Sequence, residues 1–333
     1  MAVRSVLISL TVLLFTGCAV TARIEVPEVS GLRWYKGNTH THTTMSDGDS
    51  SPEVVARWYK ENGYHFLVLS DHNVFTDPAV LQDIVDSSFL LIPGEELTSS
   101  FENKPVHVNG LNIPHVLEPQ VDTTLLGTIQ KNVDEVRRVE GAPHINHPNF
   151  GWAIDEVTLL QVRNNKLLEI FNGHPFVHNL GGGGKPGLEE VWDFLLSSGM
   201  RIYGIAVDDA HHFTGEFRAN RTNPGRGWIV VLARSLDPDE IIQNLENGLF
   251  YASTGVELED VIIGSSRLEV RIRQRSNFRY RTEFIGSGGE VLQISEETSA
   301  VYEVRGEEVY VRAKVQDSGG AVAWVQPVFV EKR

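Results

Sequence analysis

Leu32-Arg33-Trp34-Tyr35-Lys36-Gly37-Asn38-Thr39-His40-Thr41-His42 is the stretch from which the rest of the chain is read. Leu32–Lys36 has the aromatic and apolar content of a short strand. His40 and His42 follow two apart, and in extended backbone such residues share a face. Both rings can therefore reach one metal ion. Ser46-Asp47-Gly48 comes next, in a loop. A His-x-His pair alone is more often an accident of surface or packing than a site, so its meaning depends on its surroundings.

Working outward, the same kinds of residue recur wherever a short apolar run ends. Phe66–Leu69 runs into Asp71-His72, and Phe89–Ile92 runs into Gly94-Glu95-Glu96. His107 lies within the next strand, Val106–Ile113. Pro143–Asn146 carries His144, with His147 at its exit. Leu167–Phe171 carries Glu169, with Asn172 and His174 beyond it. Arg201–Val207 ends at Asp208, Asp209, His211 and His212. Polar loops explain one or two such residues, but not His, Asp and Glu at nearly every strand end.

Helix signals lie between these strands. Ser51-Pro52-Glu53 opens a helix that stops at Gly63, and Asp77-Pro78 opens another. Thr124–Glu140 and Leu188–Ser198 read as helices, and Trp228–Leu232 is a strand. Asp237-Pro238 opens a helix ended by Gly248. Alternation of this kind predicts parallel βα units, here closed into a barrel whose functional face lies at the strands' C-terminal ends. From Leu258 onward the period changes to two, as in Leu268, Val270 and Ile272, or Val309, Val311, Ala313 and Val315. The α/β part is thus followed by a small all-β C-terminal domain.

The 333 residues accommodate one large domain and a small one, and a net charge of −15 argues against a nucleic-acid partner. Residues 1–18 read as a signal peptide: Arg4, an apolar run from Val6 to Phe15, then Thr16-Gly17-Cys18. That run is too short to span a bilayer. Cys18 is the single cysteine, and its setting resembles the lipobox of bacterial lipoproteins. The expectation is an exported protein held to a membrane through lipid on Cys18, with residues 19–30 as a tether. It would stand on the periplasmic side of the outer membrane or at the cell surface.

Nitrogen and carboxylate donors without sulfur suit zinc, manganese or iron. Paired ions can bind both the attacking and the leaving oxygen of a displacement, and water on such an ion is acidified to a pKa of about 7.

His40-Thr41-His42, Ser46-Asp47-Gly48, Asp71-His72, Pro93-Gly94-Glu95-Glu96, His147-Pro148 and Asp209-Ala210-His211 together resemble the PHP (polymerase and histidinol phosphatase) family. The resemblance covers residues 31–257 and leaves 258–333 as the β domain. It implies a distorted seven-stranded βα barrel holding two to three divalent metal ions. It also implies their ligands: His40, His42, Glu96 and Asp209 for the first ion; Glu96, His107 and His147 for the second; Asp47, His72 and His211 for the third. Glu96 and Asp209 are preferred over Glu95 and Asp208 because they fit the family's Pro-Gly-x-Glu and Asp-x-His patterns. The segments Leu168–His174, Asp208–His211 and Tyr251–Val256 are similar to an exported subgroup of carbaryl-hydrolase type.

The expected function is a hydrolase that uses a metal-bound hydroxide on a small-molecule ester, with phosphoesters leading. Carboxyl or carbamate esters, or amides, are the alternative within enzymes, and an inactive metal-containing binding protein is the alternative outside them. His174 and His144 are candidates for orienting ligands or substrate. Arg218, Arg221 and Arg226 are candidates for gripping an anionic group.

Overall fold

The computed structural model describes residues 22–25 and 31–332. The signal segment, Cys18 and most of the expected tether lie outside the described residues. Within the tether, Ala22–Ile24 (β1) is a strand, antiparallel to Val330–Lys332, so this part of the segment is anchored on the folded body.

Arg33–Asn38 (β2) leads to the helix Pro52–Glu61 (α1), which buries Val55, Ala56 and Tyr59. Phe66–Val68 (β3) and Leu90–Ile92 (β4) complete a parallel trio with β2. Gly94–Phe101 (β5) and Lys104–Leu111 (β6) form a hairpin, and Leu125–Arg138 (α2) packs behind it. Then come Ala142–Ile145 (β7), the single turn Glu156–Leu159 (α3), Leu167–Asn172 (β8), Leu188–Ser197 (α4) and Tyr203–Val207 (β9). Trp228–Ala233 (β10), Pro238–Glu246 (α5) and Phe250–Ser253 (β11) close the α/β part. The remaining strands are Leu258–Ile263 (β12), Arg267–Ile272 (β13), Tyr280–Ile285 (β14), Val291–Ser295 (β15), Ser299–Glu303 (β16), Tyr310–Asp317 (β17) and Val322–Lys332 (β18).

The expected ring of parallel βα units is replaced by a mixed arrangement. One sheet runs β5-β6-β7-β8-β9, in which β5–β6 and β6–β7 are antiparallel and β7–β8 and β8–β9 are parallel. A ten-stranded sheet runs β15-β14-β17-β18-β11-β10-β2-β3-β4, with β1 alongside β18. At the end where β2, β3 and β9 finish, two single parallel bridges join the sheets: Thr41 with Ala210, and His72 with Glu96.

Two departures have local causes. Asp77-Pro78 opens only a 3₁₀ turn, Pro78–Leu81. The chain cannot continue as a helix because Asp86 accepts from both the N–H and the hydroxyl of Ser88 and makes a turn of its own. Strand β5 is too polar to read as a strand. It forms because β6 pairs along its whole length, across a turn whose Glu102 and Asn103 are both left-handed (φ 48° and 66°).

The ten-stranded sheet crosses the expected boundary between residues 257 and 258, since β18 pairs with both β17 and β11. One apolar core accordingly reaches from Phe66 and Trp192 to Tyr310 and Trp324. Arg312 of β17, 1% exposed, donates to both Asp193 oxygens at 2.7 and 2.6 Å and to Glu189 at 2.9 Å, both acids lying on α4. Tyr310 adds a hydroxyl bond to Asp193 at 2.8 Å. Arg312→Ala leaves Asp193 buried without its cation, so the urea midpoint should fall by the equivalent of about 3–5 kcal/mol. An unchanged midpoint would show that the ion pair is dispensable.

Candidate metal centre

The site gathers at the bridged end, and strand alternation selects who enters it. Along β5, Glu96 and Thr98 face the inside, whereas Glu95 faces the core behind. Glu95 is fully buried there, accepts from the Leu117 N–H at 2.5 Å, and is pushed by burial up to about 7. After β9, Asp208 turns away and accepts from the Tyr59 hydroxyl and from the N–H groups of Gly225, Arg226 and Gly227. Asp209, held left-handed at φ 49°, turns in. Asp71 also stays outside the cluster, holding Thr43 and Ser46.

His40, His42, Asp47, His72, Glu96, His107, His147, Asp209 and His211 fall into four overlapping groups whose donor atoms stand within 4.8 Å of one another. The tightest contacts surround His40 and His42. Their Nε2 atoms are 3.2 Å apart. Asp209 Oδ1 lies 3.3 and 3.2 Å from them, and Glu96 Oε2 lies 3.4 and 3.3 Å away. Donors bound tetrahedrally at ~2.1 Å from one ion stand ~3.4 Å from each other. Glu96 reaches onward with Oε1, 2.9 Å from His107 Nδ1 and 3.6 Å from His147 Nε2. Asp47 lies 3.4 Å from His211, 3.5 Å from His42 and 3.6 Å from His72, and is the most exposed of the set.

The donors are short of hydrogen-bond partners. Glu96 Oε2 and His107 Nδ1 are buried and have none of acceptable geometry, although ring nitrogens surround that oxygen. Burial opposes charge on these acids, yet the charges of His107 and His40 hold Glu96 well below the usual carboxylate range. His40, together with a hydrogen bond from His42, does the same for Asp209. Burial lowers His42 to about 4, with His211 adding to it, so its ring is neutral. Closely set nitrogen and carboxylate donors suit cations, which would take the place of protons drawn in by the acids.

Behind the donors stands a layer the sequence did not resolve. Glu169, fully buried, accepts from His40 Nδ1–H at 2.6 Å, from the His147 N–H at 2.7 Å and from Asn172 Nδ2 at 2.8 Å. Asn172 also reaches Asp209 at 3.2 Å, and Asn146 donates to Glu96 at 2.8 Å. Thr98 holds His72 Nδ1 at 2.6 Å. Glu169 and Asn172 were visible only as polar residues at a strand end. Their spacing carried no further signal.

No family model matches the chain. Over 77 residues it is 36% identical to the 5′-3′ exoribonuclease Rnm of Escherichia coli strain K12, a match covering 22% of this chain and 26% of that protein. Over 108 residues it is 36% identical to the 5′-3′ exoribonuclease of Haemophilus influenzae, covering 32% and 38%. The chain thus matches about a quarter to two-fifths of these relatives' length. Among solved structures, a two-domain protein containing a predicted PHP-like metal-dependent phosphoesterase, from Bacteroides vulgatus, superimposes with a TM-score of 0.51 at 16% identity. That likeness covers 92% of this chain and 89% of that one. This chain shares that fold.

The remaining expectations sort clearly. His174 sits at the rim, its ring centroid 5.9 Å from that of His211, and its Nδ1 accepts the Phe176 N–H. His144 is buried against Glu169 at 3.7 Å with neither ring nitrogen hydrogen-bonded. The three arginines each have a partner within the protein. Arg226 is spent on the carbonyls of Gly173, Ala219 and Arg218. Arg218 pairs with Glu216, and Arg221 lies beside Asp49. This loop is rich in carbonyls and acids that claim each guanidinium first. Two further histidines lie away from the cluster: His65 accepts the Lys36 N–H, and His178 stacks on Trp152.

Proposed function

We propose that the chain is a metal-dependent hydrolase of small-molecule esters, with phosphoesters as the leading substrates. The observation that carries this reading is the convergence of Glu96 Oε2 and Asp209 Oδ1, each within 3.2–3.4 Å of both the His40 and the His42 Nε2, at the end of the sheets. In this reading His40, His42, Glu96 and Asp209 hold one divalent ion; Glu96, His107 and His147 hold a second; and Asp47, His72 and His211 hold a third. In this reading the two sheets joined by the Thr41–Ala210 and His72–Glu96 bridges would stand for the distorted seven-stranded barrel. When bound, the ions would supply Lewis acidity toward the ester and a water acidified for attack.

The chain's own residues do the rest. Glu169 fixes the tautomer of His40 by taking its Nδ1–H, which leaves Nε2 as the donor atom. His174 is lowered to about 4, burial being the largest cause, and is therefore neutral. Its Nδ1 accepts a backbone N–H, so Nε2 carries the proton and offers a hydrogen bond to an ester or leaving-group oxygen at the rim.

Carboxyl or carbamate esters form the second reading, favoured by the engagement of Arg218, Arg221 and Arg226 elsewhere. Aryl phosphates, phosphodiesters, carboxyl esters and carbamates should be compared with added manganese or zinc, alongside metal analysis of the purified protein. Phosphate release and two to three metal equivalents are expected. Cleavage of carboxyl or carbamate esters alone selects the second reading. A metal-replete protein inert on every class would make this a binding protein, and one without metal would sink the reading.

We also propose that the protein is exported and anchored through lipid on Cys18. Cys18→Ser should release it from membranes or leave its signal uncut. A mutant that is processed and fractionates like its parent would leave a plain secretion signal.

A further inference from the structure

Beside the cluster lies an open cleft of about 550 Å³, bounded by β5, β6 and the loops near residues 119 and 150. It touches the candidate metal centre at three places. His107 lies on its edge. Thr98 in its wall holds His72. The ring of Phe150 in another wall is 5.2 Å from that of His147.

The wall chemistry is distinctive. Ser100 and Asn103 give polar edges, while Pro119, Val121 and Phe150 give an apolar face. Among the described residues, no Lys, Arg, Asp or Glu lines it. The ions would supply the positive charge for the reacting group, so the cleft beside them is left to receive something neutral. Phe150 is half-buried and offers a ring against which a flat group stacks, whereas Val121 is 59% exposed and open to a ligand. The cation beside Val121, Lys131, donates to the Val121 carbonyl at 3.4 Å and is paired with Asp122, and the protein's net charge of −15 opposes a polyanionic chain.

Building on the hydrolase reading, we propose that this cleft is the leaving-group subsite, and that it selects esters whose leaving group is uncharged, aromatic and about one ring system in size. Longer anionic polymers, such as 5′-phosphorylated oligonucleotides, are excluded.

The metal-loaded full-length protein should be titrated with phenylphosphonate and with methylphosphonate. Phenylphosphonate should bind about ten-fold more tightly, the size of one stacked ring plus its burial. Phe150→Ala should cost phenylphosphonate at least about five-fold more affinity than it costs methylphosphonate, with metal content unchanged. Val121→Glu, at an exposed position where folding is not at stake, should weaken phenylphosphonate in the same selective way. In turnover, phenyl phosphate should exceed both glycerol phosphate and a 5′-phosphorylated oligoribonucleotide in kcat/KM.

Methylphosphonate reads the cluster without the cleft. If neither phosphonate binds, the hydrolase reading fails and takes this inference with it. If both bind equally, or both variants weaken them equally, the cleft assignment alone is overturned. A preference for the oligoribonucleotide overturns it as well.

Discussion

Glu96→Ala should strip bound metal and lower hydrolysis by more than about 100-fold, whereas Glu95→Gln should do neither. The two neighbours differ only in which side of β5 they occupy. Glu96 puts Oε2 against His40, His42 and His72 and Oε1 against His107 and His147. Removing it takes away the anion shared by these buried imidazoles; Asp209, which also lies beside His40 and His42, comes no nearer than 4.0 Å to His147. Glu95 is equally buried but serves the Leu117 N–H, a contact that glutamine retains through its carbonyl oxygen. Metal content by elemental analysis, with turnover of whichever ester is accepted, checks both. Retention of metal by Glu96→Ala, with loss in Glu95→Gln, would mean that β5 is one residue out of register, which exchanges its two faces.

Glu169→Gln should weaken metal binding by about 10–100-fold while the protein still folds. Glu169 touches none of the space in which ions would sit. It acts as a positioning residue, taking hydrogen bonds from His40, from the backbone at His147 and from Asn172, which in turn holds Asp209. The substituted amide can accept on one side only, and its NH₂ would meet a donor on the other. His40 would then be free to rotate or to change tautomer. Calorimetric titration of manganese or zinc into the metal-free variant reads this directly, and its thermal midpoint reports separately on folding. Unchanged affinity with a lowered midpoint would reduce Glu169 to a packing role.

The cluster's residues were legible because metal ligation demands particular side-chain types, and those types recur at strand ends where the fold has few other uses for them. His40 and His42 are close in sequence because extended backbone repeats every two residues. The change to period-two patterning after Leu258 was legible for the same reason. Helices were readable where caps and an apolar stripe agreed, as at Ser51-Pro52 or Thr124. They failed at Asp77-Pro78, where the start signal is met and Asp86 then turns the chain.

What only the tertiary structure decided is pairing between distant segments. The chain's own pattern fixes where strands occur and which residue types their ends carry. Strand direction depends on which partners supply the hydrogen bonds. β5 carries too few apolar side chains to announce itself and exists because β6 pairs with it, while β10 runs antiparallel to β2 rather than extending a parallel ring. The continuity of β11 with β18 has the same origin: a sheet edge left open by the α/β part is completed by strands about 70 residues further along. Glu169 and Arg312 follow suit. Each is an ordinary charged residue in sequence, and each became structural once its partners, 129 and 119 residues away, were brought against it in a buried setting where an unpaired charge is costly.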